Sequence, residues 1–106
     1  MAEIPKSVTI GPHKYTILRC PKVVDQGRDL NGECDPDELV IRLRKYMRRS
    51  MSREILLHEV MHALAANGGS PIPDKMEEKF VTVMAPALLQ VLRDNPDLLK
   101  FLISQS

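Results

Sequence analysis

A charge excess of either sign is missing from this chain: fifteen Lys+Arg against fourteen Asp+Glu leave a net charge of +1 over 106 residues. No bulk attraction to nucleic acid or an anionic membrane follows, so any such docking has to come from local clustering. Long apolar runs are missing as well. The uncharged stretch Phe80 to Leu92 has thirteen residues and includes a proline and polar side chains, which is too short to cross a bilayer. The opening, MAEIPKSV, lacks a basic segment followed by an apolar one, which argues against secretion and for the cytoplasm. Cysteine is scarce, and in a non-secreted chain Cys20 and Cys34 are expected as free thiols. Repeats and low-complexity segments are absent. What is present, 43% apolar and 27% charged residues, is the balance of one folded globular domain spanning 1–106.

The front of the chain reads as strands and the back as helices. Ser7 to Cys20 holds two β-branched runs around Gly11-Pro12-His13-Lys14, which predicts a β-hairpin over 7–10 and 15–20. Residues 21–33, with Pro21, Gly27, Gly32 and several charges, read as loop, and Leu39 to Leu43 as a further strand after an Asp35-Pro36-Asp37 turn. The expected sheet is small and antiparallel. Ser52 is placed to cap a helix with Glu54 in its first turn, and the dense apolar spacing from Ile55 to Ala65 predicts burial on most sides. Gly68-Gly69 would end it in the left-handed conformation. A second helix is expected from Asp74, with Asp74 and Glu77 at capping-box spacing, to about Arg93, kinked at Pro86. Asn95-Pro96-Asp97 then opens a short third helix through about Ile103.

The first helix contains His58-Glu59-Val60-Met61-His62, an HExxH pattern. Side chains at i and i+4 lie on one helical face, so both imidazoles can reach the same metal ion, while Glu59 sits one residue away, beside the ion without binding it. Two neutral nitrogen ligands, an open coordination position and a carboxylate able to take a proton from water are the requirements of a zinc hydrolase. An apolar helix face carrying two histidines and a carboxylate needs partners for those polar atoms, and one divalent ion supplies them together.

A catalytic zinc site needs a third protein ligand, and the candidates are His13, Cys20, Cys34 and the acids. Thiolate ligation would indicate a structural site, and His13 falls in an exposed turn. Glu77 and Glu78, at the start of the next helix, are better placed, because the short connection from Gly68 to Pro73 folds that helix back on the first. Glu77 is accounted for as the capping partner of Asp74. Glu78 shares a face with Val81, Ala85 and Leu89 and so is the preferred third ligand, with Glu77 the alternative.

HExxH followed by a glutamate on a nearby helix resembles the gluzincin-type zinc metallopeptidases. The small sheet before Ser-Arg-Glu-Ile-Leu-Leu-His-Glu-Val-Met-His-Ala-Leu, and the glutamate helix ending in Leu-Arg-Asp-Asn-Pro-Asp-Leu-Leu, are similar to compact, often phage- or prophage-encoded, members related to the ImmA/IrrE-like group. The resemblance covers roughly residues 30 to 104. It implies an α+β, zincin-like fold, in which a small antiparallel sheet is followed by the HExxH helix, the glutamate helix and a short C-terminal helix. It also implies peptide-bond hydrolysis by a metal-activated water, with His58, His62 and Glu78 as zinc ligands and Glu59 as general base. An edge strand would line the cleft and pair with an extended protein or peptide substrate, and Leu39 to Leu43 is the expected strand. The chain departs from larger relatives in lacking a substrate-binding subdomain and a His or Tyr after the second helix. Tyr15, Tyr46 and His13 are then the remaining candidates for stabilising an oxyanion.

Arg42, Arg44, Lys45, Arg48 and Arg49 crowd into eight residues with Tyr46 as their one aromatic. A solvated strand end explains them. The alternative function is a zinc-stabilised, non-catalytic binding module that docks a nucleic acid or an acidic protein through Arg42–Arg49.

Overall fold

The computed structural model describes residues 3–68 and 72–104. Six strands precede three helices: β1 (Ser7–Ile10), β2 (His13–Cys20), β3 (Val23–Asp25), β4 (Arg28–Leu30), β5 (Gly32–Asp35), β6 (Val40–Arg44), α1 (Arg49–Asn67), α2 (Asp74–Asp94) and α3 (Pro96–Ile103). The α+β class, the first hairpin and the third helix agree with the expectations from sequence. The sheet is mixed rather than antiparallel. Its order is β1-β2-β6-β5, and β2 runs parallel to β6 while the two outer pairs are antiparallel. A parallel pair needs a connection of about a dozen residues or more. The segment from Pro21 to Leu39 provides one, and local patterning does not reveal which strands that segment will join.

That segment is not loop. β3 and β4 form a separate two-stranded hairpin, turned by Gln26 and Gly27 at φ 50° and 75°. Positive φ at both turn positions matches the right-handed twist of the strands it joins. β5 follows, short and poor in β-branched residues, and forms the outer strand beside β6. Leu39 to Leu43 is consequently interior: β6 lies between β2 and β5, and Leu39 itself precedes the strand at φ 56°. Ile41 and Leu43 are wholly buried from β6, joining Ile10, Tyr15, Ile17 and Ala63 in the core. On the other face of β6, Arg42 pairs with Glu33 at 3.0 Å and Asp35 at 3.8 Å on β5.

α1 begins a turn earlier than expected, at Arg49, with Arg48 as its N-cap and no side-chain cap. Ser52 lies inside the helix and is buried, and its hydroxyl donates back to the carbonyl of Arg48. Ser52, Glu59 and Ala63 are its buried residues, and Ile55, Leu56 and Val60 are half-buried against the core, so α1 is a layer between sheet and α2 rather than a buried rod. Gly68 caps it in an extended conformation, φ −71°, not a left-handed one. Gly69 falls outside the described residues. Asn67 donates its amide to the carbonyl of Ile10 at 2.9 Å, tying the end of α1 to the first hairpin. The turn passes so close to Asn67 at Gly11, φ 58°, that a β-carbon there would collide with its side chain.

α2 is a single helix through Pro86, with Pro73 as N-cap and no side-chain cap; the expected capping box does not form. Val81 and Ala85 are buried from α2, and no residue of α3 is. Among the described residues, no helix is long and apolar enough to cross a membrane.

Candidate metal centre

α1 and the first turn of α2 build the site. Helical spacing stacks His58 and His62, and their Nε2 atoms stand 3.2 Å apart. Glu78 reaches in from α2, with Oε1 3.3 Å from His58 Nε2 and Oε2 2.8 Å from His62 Nε2. Thr82, one turn on, donates its hydroxyl to Glu78 Oε1 at 3.2 Å and steadies the carboxylate. His58, His62 and Glu78 therefore lie close enough to hold a metal ion.

Two observations test whether these residues fit one. Ligands about 2.0–2.2 Å from a tetrahedral ion are separated by roughly 3.3–3.5 Å, close to the spacings found between these donor atoms. The second is the tautomer of His62. Glu77 Oε2 lies 2.6 Å from its Nδ1, so Nδ1 carries a proton and donates it to the carboxylate. With the Nδ1 proton directed at Glu77, Nε2 is the nitrogen that faces Glu78 and His58. A proton can reconcile one of these facing acceptors with its neighbour, whereas a divalent cation satisfies all three together. Burial lowers the pKa of His58, with Glu78 pulling it the other way, so that ring is held toward its neutral, ligating form.

Glu77 is thus not the capping residue that its spacing suggested. Its side chain leaves the helix end free and supports His62, the part carboxylates play behind metal-binding imidazoles. Tertiary contact alone reveals this supporting role, since the sequence spacing offers Glu77 only as a capping residue or as the alternative ligand to Glu78.

Glu59 is 6% exposed and lines a cleft of about 990 Å³ that also contains His62, Glu77 and Glu78. Burial, chiefly, pushes its pKa up to about 7; His62 opposes the shift and Glu78 and Glu33 add to it. β5 passes directly over it. A β-carbon on Gly32 would lie 2.7 Å from Ile55 Cγ2 and 3.4 Å from Glu59 Cγ, so the close approach of strand and helix requires glycine there. The cleft wall opposite α1 and α2 comes from the segment read as loop: Asp25, Arg28 and Leu30 from the small hairpin, then Gly32, Glu33 and Cys34. Arg28, on a two-residue-turn hairpin that short strands disguised, is the one Lys or Arg on this wall among the described residues.

The other candidates fall elsewhere. His13 is exposed at the start of β2, Tyr15 is a core residue 1% exposed, and Tyr46 is 87% exposed; none lines the cleft. Cys34 does line it but is not among the donors that converge, and burial foremost and then the nearby Glu59 push its thiol up to about 12. Both cysteines are free, as expected. The basic segment is divided: Arg42 is engaged on the sheet by Glu33 and Asp35, while Arg48 and Arg49 begin α1. No protein-family model, no curated protein and no solved structure matches the chain.

Proposed function

We propose that this protein is a zinc-dependent peptidase of the gluzincin type, with His58, His62 and Glu78 as ligands and Glu59 as general base. The observation that carries the reading is the convergence of three donor atoms, at separations suited to one ion, beside a buried carboxylate that opens on a cleft. Bound zinc supplies Lewis acidity toward a substrate carbonyl and lowers the pKa of water toward neutrality. Glu59 takes the proton from the attacking water and returns it to the leaving amine. Burial, which raises the pKa of Glu59 in the metal-free chain, opposes the pull of a bound cation and so favours a carboxylate able both to take and to return a proton. Glu77 holds the His62 ring in the tautomer that leaves Nε2 free. β5, paired on one side only and lining the cleft through Gly32, Glu33 and Cys34, offers an open edge to an extended substrate. A buried carboxylate beside the first histidine that opens on the cleft distinguishes this reading from a purely structural zinc site, which has no use for one.

The test is a peptide-library and lysate cleavage screen of three samples: parent, Glu59→Gln and chelator-treated protein. The parent should generate products that the other two do not, with the rate in Glu59→Gln reduced by roughly 10² or more and zinc content unchanged. Identical products from all three would replace the catalytic reading with the zinc-stabilised docking module.

A further inference from the structure

α2 is apolar on two sides. One side, Val81 and Ala85, is buried. On the opposite side, Met76, Phe80, Val83 and Val91 follow helical spacing along the rod and are 63%, 58%, 63% and 38% exposed. α3 extends the problem. Its large apolar residues are distributed almost all round the helix, which is the pattern of a buried helix, yet none is buried and Phe101, Leu102 and Ile103 are 76%, 60% and 69% exposed. Eleven large apolar residues of these two helices are exposed. At about 150–200 Å² for such a side chain, their open fractions amount to roughly 1,000 Å². The largest patch of a typical monomer is about 300–600 Å², and each partner in a standard stable interface contributes about 800 Å².

We infer that this face is covered by a second copy of the chain, with the two α2 helices antiparallel across a two-fold axis near Ala87. The four stripe residues of α2 leave roughly 400 Å² open, and the exposed residues of α3, which are not all on one side, enlarge the apolar area that a partner copy can cover. The face carries no charge from Phe80 to Leu92, so nothing along its centre selects an ionic partner, and an apolar stripe of this kind is complementary to itself. Its ends do carry charge, and of opposite sign. Lys79 lies eight residues before Ala87 and Asp94 seven after it, so antiparallel pairing sets Lys79 of each copy beside Asp94 of the other, whereas parallel pairing sets like against like. Ala87, small and on the stripe, lets the helices approach closely at the centre. The metal centre lies on the other side of α2 and is left open. This inference does not depend on the function proposed above.

Sedimentation velocity and light scattering on the full chain test it. The parent should have twice the 12.0 kDa chain mass at micromolar concentration. Val83→Glu and Phe80→Glu should be folded monomers, with an unchanged far-UV circular dichroism spectrum and a cooperative melt as the check on folding. Lys79→Glu should weaken the dimer by roughly tenfold or more, and adding Asp94→Lys to it should recover the loss. A parent that stays monomeric up to about 100 μM overturns the proposal. So does a dimer indifferent to Val83→Glu, a charge reversal that recovers nothing, or a monomer that uses this face to bind phosphatidylcholine vesicles.

Discussion

The two long sides of α2 have similar apolar content and opposite surroundings. On the side toward α1, Glu77 and Glu78 meet the histidines and Val81 and Ala85 close the interface behind them. On the side away from it, Phe80 and Val83 stand in solvent. Hydrophobic burial is proportional to the area removed from water, so only the first side contributes to the stability of the single chain. The candidate metal centre draws on that side for its rigidity, because a carboxylate that must meet two imidazoles within a few tenths of an ångström has to stand on a packed helix.

The largest effect should come from emptying the inner side of its donors. His58→Ala or His62→Ala should reduce zinc from about one per chain to almost none by elemental analysis, since neither leaves three protein ligands. Glu78→Gln should weaken zinc in a chelator competition more than Glu77→Gln does. The latter should still cost roughly 10–100-fold, as expected of a carboxylate that orients a ligating imidazole. If Glu77→Gln leaves affinity untouched, the support assigned to the inner side is wrong.

A pair of packing substitutions sharpens the contrast directly. Val81→Ala, at a site 2% exposed, should destabilise the fold by about 2 kcal/mol in urea unfolding of the metal-free chain. Val83→Ala, 63% exposed, should stay within about 0.5 kcal/mol when measured at a concentration where the chain is monomeric. Equal costs would show that both sides are covered within one chain.

A further contrast is a pH dependence at the buried end of the inner side. The folded pKa of Glu59 is raised to about 7, so the metal-free folded protein holds this proton more tightly than the unfolded chain does. Its contribution is fully present below the unfolded value and is lost as pH rises through the folded one. Metal-free Glu59→Gln should therefore match the parent near pH 4 and exceed it in stability at pH 8, the gap opening between about 4.5 and 7. Melting curves that differ by the same amount at both pH values would mean that Glu59 is ionised freely in its pocket.

Much of the site was legible because it is local. The i and i+4 spacing of His58 and His62 depends only on helical periodicity, and Glu78 was selected by its register with Val81 and Ala85, which is also a property of one helix. The reasoning that set Glu77 aside was mistaken, because capping spacing says which bond a side chain can make and not which of two competing bonds it does make. Gly32 and Arg28 escaped notice for a different reason. β3, β4 and β5 are three to four residues long and rich in charge and glycine, so they carry little period-two signal, and the neighbours that justify them are distant in sequence.

The sequence by itself determined the α+β order of elements, the histidine pair with its adjacent glutamate, and the start of α3 at Asn95-Pro96, since each follows from backbone stereochemistry within a few residues. Tertiary structure alone decided that β2 pairs parallel with β6, that β5 rather than Leu39 to Leu43 is the edge along the cleft, and that Glu77 stands behind His62. It also decided that the apolar stripe of α2 would remain uncovered by the chain. Periodicity identifies a face that is apolar; whether another surface arrives to cover it depends on loop lengths, sheet order and the free energy of contacts between residues far apart in sequence.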